Sequence, residues 1–479
     1  MLSLENAVVY DEETFPNVYT IAVESLYSDV KAVWQISDYR DDTRELFEWI
    51  DYMASSQTPM IGFNNVGFDY PVLHYIRTTP GRVTAQMIYE KAMSIIGNGD
   101  RFGHMIWDRD RLVPQIDLMK IHHYDNMAKS TSLKALQINM RSPNVVESTV
   151  PFGTVLTEQQ VYSDVIPYNQ HDTQETKRFA HHSMNMIKFR IGLIPQFGIQ
   201  VMNWNDTKLG EEMLIQRLGD DICYDRSSGK RQKRQTVRSY LPVKDMIFPY
   251  VQFDHPEFQR VLTFMQGVTL SPADMKKDDT KEHVSPLSVK AEIGGITFKF
   301  GSGGVHASVE RQRFYADEDW CIRDVDVTSL YPSLSSVNKL RPEHLGEAFV
   351  EVYAQLPIER AQHAKGTSEN LAFKLAGNAA WGKSKSVHSC FYDPRYALTV
   401  PINGQLLICM LIEKLLTIPT LQLIQVNTDG VTYHIKREYL PQCEAIEKWW
   451  EQYTCLTLES AMYSKMFVRD VNNYLAEYE

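Results

Sequence analysis

The sequence is poor in cysteine. Its 479 residues include six cysteines, and no two of them form a CxxC pair. This spacing argues against an iron–sulfur cluster or a structural zinc site. Unpaired thiols of this kind are typical of a reduced, intracellular protein, so we expect a cytoplasmic location.

Long apolar stretches are scarce as well. We find no apolar run that we expect to span a bilayer. The first residues, MLSLENAVVYDEETFP, lack the basic segment followed by an apolar segment that marks a secretory signal. The sequence therefore predicts no membrane partner.

Cations are in the minority. The chain has 49 Lys and Arg against 60 Asp and Glu, which gives a net charge of −11. Affinity for phosphate comes largely from Lys and Arg, so a nucleic-acid ligand would need a locally basic face. The densest basic segment runs from Arg226 to Arg238. It is interpreted as a solvated, mobile loop, which we slightly favour, or as a contact with DNA.

The sequence has no repeats or low-complexity tracts, and 43% of its residues are hydrophobic. Its length allows two to four structural units. Residues 1–190 alternate strand-like and helical stretches, with a strand candidate at Asn6–Tyr10, which predicts an α/β unit. Residues 191–305 are less patterned and end near a glycine-rich bend. Further on, we expect helices over 346–385 and a β-hairpin over 421–435, typical of an α+β unit.

Two segments in the second half place an aspartate at the end of a strand. Ile322 to Val327 is a predicted strand that delivers Asp326 just before a helix whose first turn contains Pro332. A carboxylate beside a helix N-terminus suits metal and triphosphate binding. The hairpin LQLIQV-NTDG-VTYHI places Asp429 at its tip. Each segment alone also fits an ordinary strand–helix connection or turn.

The segment SENLAFKLAGNAAWGKSKS predicts a helix with Ser368 as its N-cap. Lys374, Asn378 and Trp381 then share one stripe of this helix. A cation, an amide and a flat aromatic ring on one stripe suit a surface that meets a phosphate and a base pair. The alternative is an amphipathic helix with a lysine that reaches to solvent.

Acidic and aromatic residues form a second set of candidates in the first half. They lie in three short segments, which contain Asp11 and Glu13, then Asn65, Phe68 and Asp69, and finally Tyr168 and Asp172. The first pair shares one face of a strand, and the last pair stacks on a helix. Any one of these acids is more often simply solvated than a ligand. Asp117, at a predicted strand end, is interpreted as structural.

Together these segments resemble the motifs of family B DNA polymerases. DVTSLYPS from Asp326, KLAGNAAWG from Lys374 and NTDG from Asn427 are similar to motifs A, B and C, in that order. The candidates in the first half resemble the ExoI, ExoII and ExoIII motifs of a 3′→5′ exonuclease with four carboxylates and a tyrosine. The resemblance covers nearly the whole chain and is weakest between residues 191 and 295.

The resemblance implies a multidomain fold, with an RNase H-like exonuclease followed by a right-hand palm and short helical fingers. The expected domains are the exonuclease (1–190), a linking region (191–305), palm segments (306–345 and 386–479) and fingers (346–385). A thumb domain, which in the family holds the primer–template, would be absent or truncated. A second chain would then supply this hold on the DNA. In the family, the position of Asp11 so near the first residue is typical of a compact bacteriophage enzyme, which we expect to act in the cytoplasm of an infected bacterium. The short gaps between Asp326 and Lys374 and between Gly382 and Asn427 lack the inserts of protein-primed relatives, which argues against terminal-protein priming.

The implied activity is DNA-directed DNA synthesis with proofreading, on primer–template DNA and dNTPs, with two Mg²⁺ ions per site (Mn²⁺ possible). The implied metal ligands are Asp326, the carbonyl of Val327 and Asp429 for synthesis, and Asp11, Glu13, Asp69 and Asp172, assisted by Tyr168, for digestion. The implied dNTP contacts are Ser329, Leu330, Tyr331, Arg360, Lys374 and Asn378. The implied DNA contacts are Asn65 and Phe68 on a frayed single-stranded 3′ end, and Trp381, Gly382 and Tyr474 on primer–template. Two alternatives stay open: an exonuclease with a polymerase-like DNA-binding scaffold, or a non-catalytic replisome subunit.

Overall fold

The structure is a computed structural model that describes residues 2–97, 103–126, 129–271, 274 and 285–479. The chain folds into two compact units, one ending at Leu209 and the other beginning at Gly210. The sequence placed the first boundary at 190. Residues beyond 190 belong to the first unit because they bond to its sheet: the Asn203 amide donates to the Gln115 carbonyl at 2.9 Å. Part of the predicted linking region, 272–273 and 275–284, lies outside the described residues.

The first unit is built on a five-stranded sheet in the order β3-β2-β1-β4-β5. Its strands are β1 (Val8–Phe15), β2 (Val18–Ser25), β3 (Lys31–Ser37), β4 (Met60–Gly62) and β5 (Gln115–Asp117). The first three are antiparallel neighbours, whereas β4 runs parallel to both β1 and β5. The expected strand Asn6–Tyr10 is wrong at both ends. β1 continues to Phe15 because each of its residues pairs with β2 across a tight turn.

Helices flank this sheet. They are α1 (Thr43–Ser56), α2 (Asp69–Thr78), α3 (Ala85–Gly97), α4 (Leu118–Ile121), α5 (Leu133–Asn139), α6 (Glu158–Gln160), α7 (Ile166–His182), α8 (Met184–Phe197) and α9 (Asp206–Leu218), the last of which leads into the second unit. Pro167 lies in the first turn of α7, where a missing N–H costs nothing. One buried cluster that includes Tyr10 and Ile50 joins β1–β3 to α1–α3.

The second unit is built on a nine-stranded sheet in the order β10-β11-β12-β15-β16-β14-β17-β13, with β18 on β17. Its strands are β10 (Val289–Ile293), β11 (Ile296–Gly301), β12 (Gly304–Ser308), β13 (Gln312–Tyr315), β14 (Trp320–Val327), β15 (Gln422–Val426), β16 (Gly430–Lys436), β17 (Leu458–Asp470) and β18 (Asn473–Tyr478). All neighbours in it are antiparallel. The predicted strand at 322–327 and the hairpin at 421–435 are therefore present. Four short strands form two further pairs, β6 (Tyr224–Asp225) with β7 (Gln232–Lys233) and β8 (Leu241–Pro242) with β9 (Thr269–Leu270).

The helices of the second unit are α10 (Asp220–Cys223), α11 (Pro256–Gln266), α12 (Leu330–Val337), α13 (Gly346–Ala361), α14 (Ser368–Lys383), α15 (Pro394–Leu415) and α16 (Leu440–Thr454). The helix pair α13 and α14 covers the expected 346–385. The predicted N-cap of α14 is off by one residue: Thr367, whose hydroxyl accepts the Asn370 N–H at 3.3 Å, is the cap.

One helix corrects the expectation about apolar runs. α15 has 22 residues and a mean hydropathy of 1.4 over its most apolar stretch, so it is long and apolar enough to cross a membrane. That stretch is completely buried in the protein. Its polar residues have partners within the protein, since the Asn403 side chain bonds to the backbone of Phe248 and Met246. α15 is therefore the core helix of the second unit.

A buried ion pair fixes α16 to the opposite face of β14 from Asp326. Arg323 donates to both carboxylate oxygens of Glu447, at 2.9 and 2.7 Å, and the Tyr433 hydroxyl donates to the same carboxylate at 2.7 Å. Both charged side chains are almost fully buried. A buried pair with all its hydrogen bonds made holds one arrangement of helix on sheet.

Candidate functional site

Strand β1 and helix α7 bring the first group of acids together. Asp11 and Glu13 lie on the same face of β1, since side chains alternate along a strand. α7 packs on this face and carries Tyr168 and Asp172 one turn apart. Asn169 of the same helix donates to the Asp11 carboxylate at 3.0 Å. The sequence-predicted ExoI and ExoIII residues therefore meet in the fold.

Asp69 joins them from the start of α2, where it is 6% exposed. The loop before it is held by Asp117, whose carboxylate accepts N–H groups of Asn64, Val66, Met119 and Lys120. Asp117 is wholly buried and caps α4. The prediction that Asp117 is structural is confirmed.

The electrostatics of this group are those of crowded, buried carboxylates. Burial and the charges of Asp172 and Asp69 raise the pKa of Glu13 to about 8. Burial raises the pKa of Asp69 to about 7, with N–H bonds from Asp69 and Glu12 opposing the shift and Asp117 adding to it. Burial and neighbouring acids also raise the pKa of Asp11 well above its ordinary value. Burial and mutual repulsion therefore make it unfavourable for these carboxyl groups to be ionised together.

Sequence reasoning missed a cation in this group. The Lys134 ammonium lies 2.6 Å from Asp172 Oδ1 and 4.5 Å from the centre of the Tyr168 ring. Its charge also lowers the pKa of Glu13. No motif marks Lys134, because α5 reaches the group only through tertiary packing.

The chemistry of the four acids fits Mg²⁺, which prefers oxygen ligands. A divalent cation would also relieve the repulsion that raises their pKa values. The side chains do not converge on one point: within the described part of the chain, no group of three or more His, Cys, Asp or Glu residues could hold a metal ion. Asp172 is instead bonded to Lys134. The donor type fits the ion, whereas the ligand geometry is not preformed.

The two predicted contacts to a 3′ end occupy different surroundings. Asn65 is completely buried, and its amide donates to Gln115 at 2.9 Å. As placed, Asn65 supports the loop before Asp69 and does not reach a surface, because the 62–66 turn directs it inward. Phe68 is partly buried against the core cluster of α1–α3.

In the second unit, the strand pairing brings Asp326 and Asp429 to one end of the sheet. Asp326 of β14 pairs directly with Gly430 of β16, and the Val327 N–H donates to the Asp429 carbonyl at 2.7 Å. A Cβ on Gly430 would lie 1.8 Å from Asp326 Oδ1 and 2.7 Å from the Val325 carbonyl oxygen. A glycine is therefore required for this close approach.

Two further acids, missed from the sequence, surround Asp326. Asp324 lies two residues earlier on the same face of β14, and its carboxylate accepts the hydroxyls of Thr432 and Tyr463. Glu459 of β17 pairs with Asp326 from the other side. Desolvation, followed by the charges of Asp324 and Asp429, raises the pKa of Asp326 to about 7, although its side chain stays exposed. The Asp-Val-Asp spacing was the only sequence signal for this.

A cavity of about 310 Å³ opens beside this acidic group. Its lining includes Ser329, Leu330, Tyr331, Asn378 and Asp429. Ser329 has a left-handed φ of 49°, and its backbone turns the chain from β14 into α12. Some residues of motifs A, B and C thus line one cavity, whereas Asp326 and Lys374 are not part of its lining.

Two cations, one of them from motif B, face an adjoining space. A smaller cavity of about 60 Å³ is lined by Arg360 of α13 and by Lys374 and Asn378 of α14. The Arg360 guanidinium contacts the Asn370 side-chain oxygen at 3.3 Å, whereas Lys374 is exposed. The two cations therefore come from different helices and face the same space.

Two aromatic residues of motifs A and B are in contact. The rings of Tyr331 and Trp381 lie 4.3 Å apart. The Tyr331 hydroxyl donates to the Gly303 carbonyl at 2.9 Å, and the Trp381 indole N–H donates to the Ala397 carbonyl at 3.1 Å. Both rings are thus fixed by the glycine-rich bend and by α15. Gly382 is exposed, with open space where a Cβ would lie.

Tyr474 lies far from this cavity. It pairs with Val468 on β17, nine residues along the strand from Glu459, which corresponds to about 30 Å. It is 43% exposed beside a shallow cavity that also includes Arg311 and Arg469. Any contact of Tyr474 with DNA is therefore remote from Asp326.

Several arginines of the basic segment Arg226–Arg238 form ion pairs within the protein. Arg226 and Arg231 both pair with Asp220, and Arg231 stacks 3.6 Å from the Tyr224 ring centre. Arg238 pairs with Glu343 and Asp393. Residues 226–234 are exposed, in agreement with the favoured interpretation as a solvated loop, whereas the strand β7 and these ion pairs connect the segment to neighbouring residues.

Comparisons with known proteins support a polymerase-like fold. No family model matches the sequence, and no curated protein matches it. The structure is similar to that of the family B DNA polymerase from the hyperthermophilic archaeon Pyrobaculum calidifontis, with a TM-score of 0.50 and 13% identity. The match covers 99% of this chain but 59% of that polymerase, so the chain spans little more than half the length of its neighbour.

At this identity the similarity concerns the fold alone. The chain has a mixed α/β, multidomain fold like that of a family B DNA polymerase. The family B part of the sequence interpretation is thereby confirmed at the level of the fold. The bacteriophage type, the exonuclease and the roles of individual residues stay predictions.

Proposed function

We propose that the chain is a DNA-directed DNA polymerase with a 3′→5′ exonuclease in its first unit. The observation that carries this proposal is the close pairing of Asp326 with Gly430, next to Asp429, at the mouth of a cavity lined by motifs A and B. Two acids at a sheet end, beside the start of a helix and two cations, suit transfer of a nucleotide from a triphosphate.

The residues of the second unit would have separate roles in nucleotide transfer. Asp326 and Asp429 would hold two Mg²⁺ ions, which when bound activate the attacking hydroxyl and neutralise the triphosphate. Arg360 and Lys374 would bind the phosphates, since both face the space beside Asn378. Tyr331 would pack under the sugar, held by its bond to Gly303. A ring fixed in this way suits rejection of a 2′-hydroxyl, because it cannot move aside.

In the first unit, the sheet with three antiparallel strands and two parallel ones supports the RNase H-like interpretation. Asp11, Glu13, Asp69 and Asp172 would hold the metal ions. Tyr168 would orient the scissile phosphate or the attacking water. Its hydroxyl is bonded to Asp172, and burial with the nearby acids raises its pKa, so it stays a donor at neutral pH.

Two single variants test the proposal. With the purified chain and Mg²⁺, Asp429→Ala is expected to abolish dNTP incorporation and to spare digestion of single-stranded DNA. Asp11→Ala is expected to do the reverse, because the two aspartates belong to different units. Loss of both activities in either folded variant would contradict two separate sites.

The same assay separates the alternatives. Digestion without any incorporation by the parent chain would favour an exonuclease with a polymerase-like scaffold. Binding of primer–template without either activity would favour a non-catalytic replisome subunit.

A further inference from the structure

The Tyr331 ring, in the first turn of α12, is held from three sides. Its hydroxyl donates to the Gly303 carbonyl at 2.9 Å, and its centre lies 4.3 Å from that of the Trp381 ring. On a third side is Gly404 of α15, where a Cβ would lie 3.8 Å from the Tyr331 ring. Tyr331 also lines the 310 Å³ cavity. The shape of that cavity therefore depends on the neighbours of Tyr331.

Trp381 of α14 is itself held in place. Its indole N–H donates to the Ala397 carbonyl at 3.1 Å, and the Lys385 ammonium lies 4.5 Å from the centre of its ring. Neither the 310 Å³ cavity nor the 60 Å³ cavity has Trp381 in its lining. The indole therefore borders the 310 Å³ cavity through Tyr331 and not directly.

The contacts of Tyr331 with Gly303 and Trp381 restrain different motions. A tyrosine ring turns about the axis from its Cβ to its hydroxyl oxygen, and this torsion has broad energy wells. The hydroxyl oxygen lies on that axis, so its bond to Gly303 fixes the end of the ring without fixing the ring plane. Trp381 packs against the ring itself, and it therefore restrains the plane.

We propose that Trp381 is a positioning residue for selection of the sugar. By restraining the plane of the Tyr331 ring, it keeps closed the space that the 2′-hydroxyl of a ribonucleotide would need. This rests on the proposed function, in which Tyr331 packs under the sugar of the incoming nucleotide. Loss of the indole would let the ring plane turn, so that the added hydroxyl fits.

Single-nucleotide incorporation with Mg²⁺ tests the proposal. The readout is the selectivity, which is kcat/KM for a dNTP divided by kcat/KM for the matching ribonucleotide. A site that rejects an added hydroxyl by shape reaches a ratio of about 10², and Trp381→Leu should lower the selectivity of the parent by about tenfold. Trp381→Phe keeps an aromatic ring beside Tyr331, so its selectivity should fall between those of the parent and Trp381→Leu.

Two controls distinguish positioning from a general defect, which would lower kcat/KM for both nucleotides together and leave their ratio at the parent value. Trp449→Leu removes an indole of α16 that stacks on Tyr453, with ring centres 5.5 Å apart, and it should keep the selectivity of the parent. An arabinonucleotide carries its 2′-hydroxyl on the other face of the sugar, so the selectivity against it should not change in Trp381→Leu.

The double variant Tyr331→Ala/Trp381→Leu shows whether Trp381 acts through Tyr331. Tyr331→Ala alone should lose most of the selectivity, and adding Trp381→Leu should not lower it further, because the effects of residues in contact are not additive. A further fall would overturn the proposal, since Trp381 would then act on the sugar directly. Thermal unfolding identifies the folded variants. Parent selectivity in folded Trp381→Leu, or in Trp381→Phe where the leucine variant does not fold, would also overturn the proposal.

The same measurements separate this inference from the proposed function. A parent chain that discriminates against ribonucleotides, with Trp381 variants that do so equally, would overturn the inference alone. A parent that incorporates neither nucleotide would overturn the proposed function, and this inference with it. Equal use of dNTPs and ribonucleotides by the parent would overturn the roles of Tyr331 and Trp381, but not the synthesis of DNA.

Discussion

Replacing Gly430 by alanine tests the geometry of the second acidic group. Its added Cβ would lie 1.8 Å from Asp326 Oδ1 and 2.7 Å from the Val325 carbonyl oxygen. The carboxylate can rotate away, but the carbonyl belongs to the backbone of β14, so β16 must also shift. The backbone of Gly430 does not have a left-handed φ, so steric contact is the sole cause of the effect.

The expected magnitude follows from the two contacts. Overpacking of this kind costs about 1–3 kcal/mol of stability, so the second unit should stay folded. A displacement of about 1 Å at a reacting group costs about 10²-fold in rate. We therefore expect dNTP incorporation by Gly430→Ala to fall about a hundredfold, while digestion of single-stranded DNA stays at the parent rate.

The assay is single-nucleotide incorporation with Mg²⁺, measured beside thermal unfolding and exonuclease activity of the same preparation. Gly192→Ala is the matched control, because a Cβ at this position meets nothing within 4 Å. Gly192 also lies within α8, and in a helix alanine is favoured over glycine by about 1 kcal/mol. Parent-like incorporation by Gly430→Ala would refute the reasoning. It would mean that Asp326 does not need its place beside the hairpin.

Three other perturbations have defined outcomes. Glu447→Ala should lower the free energy of unfolding of the second unit by about 3–5 kcal/mol, because it removes both short hydrogen bonds to the buried Arg323 guanidinium. Denaturant unfolding measures this, and Glu444→Ala should cost much less, because the exposed Glu444 carboxylate lies 3.7 Å from the same guanidinium. Lys134→Ala should slow digestion of single-stranded DNA by about 10–100-fold, the usual cost of losing a partner that orients a ligand, and Lys134→Arg should recover part of it; an unchanged digestion rate would contradict this role. In EDTA, the melting temperature of the first unit should fall as pH rises from about 5 to about 8. Glu13 binds its proton more tightly when folded, with a pKa of about 8, so its stabilising contribution is present at low pH and lost through that pKa. Glu13→Gln should flatten this profile, and a melting temperature that rises with pH would contradict the reasoning.

Local patterns predicted the parts of the fold that depend on neighbouring residues. The alternation of Asp11 and Glu13, the turn around Asp429 and the helix stripe with Lys374 all follow from short-range geometry, and the structure contains them. The similarity of the fold to that of a family B DNA polymerase agrees with the fold class that these patterns predicted. These features needed only the two periodicities of strand and helix.

The features that sequence reasoning missed depend on long-range pairing. Glu459 reaches Asp326 only because β17 pairs with β14, and Lys134 reaches Asp172 only because α5 packs on α7. Asn65 was expected to contact DNA at the surface. Its side chain is instead buried, because it donates a hydrogen bond to Gln115, which lies on a strand fifty residues later in the chain. No local pattern encodes such partners, so the acids within the motifs were found and the residues around them, including Asp324 and Glu459, were not.

The burial of α15 has a consequence for synthesis of the chain. Trp450 of α16, whose indole N–H donates to the Leu407 carbonyl at 2.7 Å, follows α15 in the sequence, so it leaves the ribosome later. During that interval, the nascent chain presents an apolar helix without its cover, a state that favours aggregation. The core of the second unit can therefore be completed only after α16 has been synthesised.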